Sequence, residues 1–240
     1  MTALRHALIA ALALASLVAC NPSAAQPDPT STDRKTPAAS GSAAPGAPAG
    51  GSGLSLKEAI ALIPAGDEVR DGYERDSFKH WVDEDSDGCS TRSEVLLAEA
   101  VVKPEQGARC ALTGGEWLSY YDEVTVTAAS KLDIDHMVPL AEAWDSGASG
   151  WDAGRRMRYA NDLGAERSLV AVTAKTNRSK SDKDPAQWLP PAASAQCTYG
   201  ADWTATKLRW KLTADDKERT ALEALAADCP DTVVKYEAAP

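Results

Sequence analysis

Apolar and polar residues alternate from Lys131 to His136, so successive side chains face opposite sides and the run predicts a strand. A compact apolar run, Ser168-Leu-Val-Ala-Val172, predicts a second strand that leads into a helix starting near Thr173 or Ala174. A Val-Thr-Val alternation marks Tyr120 to Thr127 as a third. Helical signals lie between these runs. Ser55 with Glu58 three residues later forms a capping box for a helix through Ile63, which Pro64 ends. Ser90 and Thr91 cap a helix from Arg92 to Val102, another runs from Pro139 to Trp144 and stops near Gly147, and Asp152 to Tyr159 is helical. Asp184-Pro185 supplies an N-cap and first helical position for a short turn to Leu189. Asp202 to Leu212 and Thr213 to Ala227 suggest a helical hairpin. The mixture is α+β.

The start of the chain follows other rules. Arg5 precedes an uncharged apolar run from Ala7 to Val18, too short to span a bilayer, so residues 1–19 are expected to be a secretory signal with no transmembrane helix. Leu17-Val18-Ala19-Cys20 resembles a bacterial lipobox, in which Cys20 is lipidated and becomes the mature terminus. Residues 20–53 are nearly all Ala, Pro, Ser, Gly and Thr and cannot bury enough surface to fold. Such a linker spans roughly 30 Å and would hold a domain clear of an envelope surface, touching the membrane only through the N-terminal lipid. The expected location is extracytoplasmic, anchored or secreted.

Residues 54–240 suit one domain with a real core, expected as a monomer. With Cys20 set aside, Cys89, Cys110, Cys197 and Cys229 remain, an even number that fits an oxidising compartment. Three connectivities are possible, and the local pairs 89–110 and 197–229 are the simplest.

A net charge of −10 argues at first against a polyanionic partner. The charge is uneven, however. Residues 54–130 hold sixteen acids and seven bases, whereas residues 131–183 hold eight acids and nine bases. Arg155, Arg156, Arg158, Arg167, Lys175, Arg178, Lys180 and Lys183 are therefore available to phosphates, or form a solvated helical face.

The strand ending Asp133-Ile-Asp-His136 and the segment Asn177-Arg-Ser-Lys-Ser-Asp-Lys-Asp-Pro185 carry the chemistry. Phosphodiester hydrolysis needs an activated water and a cation that absorbs charge in the transition state. His136 suits proton acceptance from water, and a neighbouring amide or carbonyl can fix which of its nitrogens is free. Asp135 and Asn177 offer oxygen ligands to a hard cation, Mg²⁺ or Mn²⁺, and Asp133 is a supporting group. Asp135 and His136 alternate in direction, so a bulge or strand end is expected there. Arg178 and Lys180 are candidates for phosphate clamping, with Arg92 as a further one. The plainer explanations are a surface Asp–His pair and a polar helix start.

The order Asp-His, then Pro three residues on, then a later Asn, then an Asn on a helix followed by Lys resembles the HNH, or ββα-metal, endonucleases. More specifically, Tyr73 to Leu212 resembles secreted actinobacterial proteins related to the C-terminal domain of GmrSD restriction endonucleases. The residues that carry this are 85–96 (Asp-Ser-Asp-Gly-Cys-Ser-Thr-Arg-Ser-Glu-Val-Leu), 132–144, Tyr159-Ala-Asn-Asp-Leu163 and 177–190. The resemblance implies a ββα-metal core with additional helices, His136 as general base, Asp135 and Asn177 as metal ligands, and a middle Asn that orients the imidazole. Asn161 is placed first in that role, because Ser168 stands where related domains often have Asn.

Asp83, Asp85, Asp87, Gly88 and Glu94 also match the calcium-loop pattern literally, which predicts either a structural Ca²⁺ site or a turn solvated by its own carboxylates. The expected function is a metal-dependent endonuclease acting on DNA and secondarily on RNA. The alternative is a calcium-stabilised envelope-binding lipoprotein with an inactive nuclease-like fold.

Overall fold

The computed structural model describes residues 53–240, so the expected signal sequence, Cys20 and all but the last residue of the linker lie outside the described residues. In chain order the elements are β1 (Leu54–Ser55), α1 (Leu56–Leu62), α2 (Thr91–Glu99), β2 (Glu105–Gln106), β3 (Leu112–Thr113), β4 (Trp117–Ser119), β5 (Val124–Val126), β6 (Leu132–His136), α3 (Leu140–Asp145), α4 (Ala153–Ala160), β7 (Leu169–Thr173), α5 (Ala174–Lys180), α6 (Gln196–Trp210), α7 (Asp216–Asp228) and β8 (Val233–Val234). Four two-stranded antiparallel sheets result, with helices between them, a mixed α+β arrangement.

The β6–β7 pair is the centre of the molecule, with Leu132 opposite Thr173 and His136 opposite Leu169. Both faces are covered. Leu132, Ile134, Leu169 and Ala171 pack with Val95, Leu96, Trp117 and Val126. Met137, Val170 and Val172 pack on the other side with Tyr121, Tyr199, Trp203 and Leu222. A strand buried on both faces has no polar side to show, which is why residues 169–172 read as an unbroken apolar run. The outer edge of β7 is closed by side chains: Ala171 N–H donates to Glu99 Oε2 at 2.8 Å and Thr173 N–H to Ser119 Oγ at 3.0 Å.

Local chemistry explains most boundaries. Ser55 and Glu58 form the reciprocal capping box of α1, and Ser90, Asp152, Thr173 and Asp215 cap α2, α4, α5 and α7 through side-chain oxygens. Asp184 Oδ1 accepts from Ala186 and Gln187 N–H and opens the short turn expected after it. Helix α2 stops at Glu99, short of Val102, because Val101 and Val102 donate to the Glu116 carbonyl. The single strand expected over 120–127 is instead a hairpin of β4 and β5, turning through Tyr120 to Glu123, with Glu123 at φ 55°. Helix α6 begins at Gln196, six residues before its predicted start. The Cys89–Cys110 and Cys197–Cys229 disulfides form as the local pairing predicts, the second joining the start of α6 to the end of α7.

Candidate functional site

His136 closes β6 and is 6% exposed. Its ring neighbours Trp81, 5.4 Å away and tilted 31°, and Tyr159, 6.4 Å away and nearly parallel at 20°. Trp81 reaches it from a backbone at φ 60°, a left-handed conformation uncommon for a bulky residue. His136 Nε2 is 3.0 Å from the Ala160 carbonyl. A carbonyl only accepts, so Nε2 carries the proton and Nδ1 is the basic nitrogen of the neutral ring. Burial pushes the imidazole down to about 3, against the pull of the Ala160 bond, and the ring is neutral at ordinary pH.

Asp135 points to the other side of the strand, where its Oδ2 accepts from Tyr121 Oη at 2.6 Å and Lys180 Nζ at 2.5 Å. Lys180 also donates to the carbonyls of His136 at 3.0 Å and Met137 at 2.8 Å, which uses all three ammonium hydrogens. Burial raises the Asp135 carboxyl and lowers the Lys180 amine, while their contact pulls each back. Asn177 and Lys180 sit three residues apart on α5, so both reach β6 from one helix face. Asn177 Nδ2 donates to Asp133 Oδ2 at 3.3 Å, which turns its Oδ1 the other way. Arg178 Nε stands 3.5 Å from the same Asp133 oxygen, largely exposed.

Asp135 and His136 therefore face apart along a regular ladder and meet only because the strand ends. There they share a pocket of about 280 Å³ with Arg75, Asn177, Arg178 and Asp182.

Several expected roles are corrected. Lys180 is fully buried in the ion pair with Asp135 and is not open to a phosphate. The Arg92 guanidinium donates to the carbonyls of Ala129 and Leu132, tying α2 to the start of β6. Asn161 does not touch the imidazole. Its Oδ1 accepts from Val82 N–H and Thr91 Oγ1, and its Nδ2 donates to the carbonyls of Lys79 and Met157, so the amide stitches the Trp81 loop to α4. Ser168 does not replace it, since its hydroxyl donates to Asp162. The orienting acceptor is the backbone carbonyl one residue before Asn161, a role that side-chain motifs cannot reveal. Arg155 and Arg156 are likewise engaged, donating to Trp210 and Ser77 carbonyls. Sequence reasoning also missed Trp81, Tyr121, Tyr159 and Arg75. The aromatic trio gave only a packing signal, and Arg75 stood two residues into the resembling segment.

Apart from this pocket, Asp83, Asp85 and Asp87 bring carboxylate oxygens within 4.8 Å of one another at the surface. Gly88 turns the loop at φ 94° and its N–H donates to Asp83. The Glu94 carboxyl is raised, first by burial and then by Asp85, Asp87 and Asp83. Among the described residues the other triple acidic groups are Glu68–Glu142–Asp145 and Glu68–Asp184–Asp215, neither of which includes Asp135.

The family described as "GmrSD restriction endonucleases, C-terminal domain" matches residues 94–225. The chain is also 40% identical over 185 residues to a protein of Arthroderma benhamiae described as "Uncharacterized secreted protein", covering 77% of this chain and 88% of that one. That relative is fungal, and the similarity gives no support to a specifically actinobacterial type. No solved structure matches the chain significantly.

Proposed function

Because the chain belongs to the family of the C-terminal domain of GmrSD restriction endonucleases, we propose that it is a metal-dependent endonuclease of the HNH type, hydrolysing phosphodiester bonds in DNA first and RNA second. The observation that carries this reading is the neutral His136, held through Nε2 by Ala160, beside Asp135 and Asn177 in one pocket. The succession of β6, β7 and α5 is the order a ββα-metal core requires.

The donor set fits a hard cation. Asp135 Oδ1 and Asn177 Oδ1 are oxygens left over once Oδ2 and Nδ2 are engaged, and all four cysteines of the described residues are in disulfides and withdrawn from a zinc site. Mg²⁺ or Mn²⁺ held there would supply charge neutralisation at the phosphate and the leaving 3′ oxygen. His136 Nδ1 takes the proton of the attacking water, Trp81 and Tyr159 keep the ring from rotating, and Arg178 contacts the phosphate. The P–O3′ bond breaks as the new P–O bond forms.

Export through the 1–19 signal, anchoring at Cys20 and the 20–53 tether complete the reading, and the secreted description of the relative supports an extracytoplasmic location. No described helix is long and apolar enough to cross a membrane. Incubation of the purified protein with plasmid and Mg²⁺ or Mn²⁺, beside His136→Ala, tests the activity. Equal inertness of the two would remove it.

The calcium-stabilised, catalytically inactive envelope lipoprotein remains the second reading, favoured by the convergence of Asp83, Asp85 and Asp87. In it the nuclease-like pocket is retained and only Ca²⁺ is bound.

A further inference from the structure

We infer that Arg75 is a substrate-binding residue whose guanidinium takes a non-bridging oxygen of the phosphodiester in the His136 pocket. The inference rests on the endonuclease reading and adds to it a second guanidinium, beside Arg178, on the entering phosphate.

A diester brings one negative charge into a pocket that already contains Asp135 and Asp182, so a cation with free donors is needed at its wall. The cations around the site are mostly spent. Lys180 is consumed by Asp135 and two carbonyls, and Arg92 by two carbonyls. Arg70 holds Asp145 through two nitrogens and stands 3.7 Å from Asp182, which leaves Arg178, touching Asp133 through Nε alone, as the phosphate contact already proposed. Arg75 lines the pocket, is exposed, and forms no salt bridge among the described residues.

Its backbone is nonetheless fixed. Arg75 opens a short 3₁₀ turn through Ser77, and its carbonyl accepts from Phe78 N–H at 3.1 Å. Phe78 is fully buried and packs against Tyr73, Trp144 and Tyr159, the last of which also flanks His136. The Ser77 carbonyl is taken by Arg156 Nε. A fixed turn thus carries an exposed, planar guanidinium to the pocket wall, the head group suited to bidentate phosphate recognition. Arg75 and Arg178 come from segments about a hundred residues apart in the chain, so a phosphate between them would be gripped by two independent elements.

The test uses the purified protein with Arg75→Ala and Arg75→Lys, a short oligonucleotide duplex, and two readouts. With Mg²⁺ present, Arg75→Ala should lower kcat/KM by about 10- to 100-fold, the worth of one charge-assisted hydrogen-bonded contact, and Arg75→Lys should recover part of it. In EDTA, the slope of log Kd against log salt should fall by roughly one for Arg75→Ala at an unchanged melting temperature. If the wild type does not cleave but that slope still falls, the phosphate contact stands and the endonuclease reading fails. An Arg75→Ala protein that cleaves and binds as the wild type, with the same salt slope, overturns the inference.

Discussion

Lys180 Nζ lies 2.5 Å from Asp135 Oδ2, with neither side chain more than 6% exposed, and the same ammonium donates to the two backbone carbonyls that follow Asp135. One side chain of α5 therefore fixes both the proposed metal-binding carboxylate and the strand end that carries His136. Tyr121 contributes a second bond to the same oxygen, which leaves Oδ1 as the atom available to a cation.

Replacing Lys180 by Met should therefore be costly in two ways. It leaves a buried carboxylate without its cation and should destabilise the fold by about 3–5 kcal/mol. The double variant Asp135→Asn with Lys180→Met should lose clearly less than the sum of the single losses, because the unpaired charge is gone. Urea denaturation of the four proteins measures this coupling. Additive losses would show that the pair contributes nothing as a pair.

Tyr121→Phe removes only the hydroxyl that donates to Asp135 Oδ2. The ring stays packed against Trp188 and Tyr199, so stability should fall by about 1 kcal/mol. Mn²⁺ affinity, followed by electron paramagnetic resonance of the free ion, should fall several-fold because the carboxylate loses a supporting bond. Unchanged Mn²⁺ affinity would separate Tyr121 from the metal-binding role.

Much of this centre is legible in the sequence, and the reason differs from element to element. β6 and β7 announce themselves through alternation and an unbroken apolar run, although β6 is buried on both faces and its alternating polar residues are the ones drawn into the site. The charge of Lys180 is legible in the sequence, but the direction of its stem is not. Its spacing from Asn177 placed both on one face of α5, and that face turns toward β6 rather than solvent. A carbonyl acceptor for the imidazole is foreseeable but its position is not: Asn161 lies one residue from the Ala160 carbonyl that meets Nε2, and every residue has a carbonyl. Helix α6 starts before its predicted bound and runs through Gly200. That glycine sits inside the helix where a Cβ would approach Leu225 and Leu56 at 3.4 and 3.5 Å.

Asn161→Ala should weaken the fold rather than retune the imidazole. The amide makes three bonds joining residues 79–82 and Thr91 to the end of α4 and a fourth to Met157 within α4, and their loss should cost roughly 2–4 kcal/mol. At a temperature where the variant remains folded, kcat should fall less than in His136→Ala. A loss equal to that of His136→Ala, with full stability, would return Asn161 to a direct part in catalysis.

Glu99 makes stability fall as pH rises. Its carboxyl is raised from 4.5 to about 7, chiefly by burial, with the Ala171 N–H and Arg167 opposing. Between those values the folded chain keeps a proton that the unfolded chain has shed, so the penalty is absent below about pH 4.5 and complete above about pH 7. Its size is roughly 3 kcal/mol. Asp202, also raised to about 7 by burial, adds to the slope in the same direction. Glu99→Gln should flatten part of the dependence and be more stable than wild type at pH 8, as read from denaturation midpoints across pH 4–8. Parallel curves for the two proteins would refute the assignment.

The Asp83–Asp85–Asp87 loop gives the final prediction. Three exposed carboxylates held within 4.8 Å, with Glu94 near enough to feel them, repel one another when no cation is bound. We expect Ca²⁺ to raise the melting temperature, by an amount that grows with ion concentration as mass action requires, and Asp85→Ala to abolish the rise. The loop is pinned by the Cys89–Cys110 disulfide and runs directly into α2, whose Arg92 reaches the start of β6. Calcium bound there should stiffen the approach to the site without supplying catalysis. Plasmid cleavage in Mg²⁺ should therefore survive in Asp85→Ala, which also separates the two readings of the protein. Calorimetry showing no heat for the wild type would remove the calcium site, and loss of cleavage in a folded Asp85→Ala protein would make the loop part of the nuclease machinery.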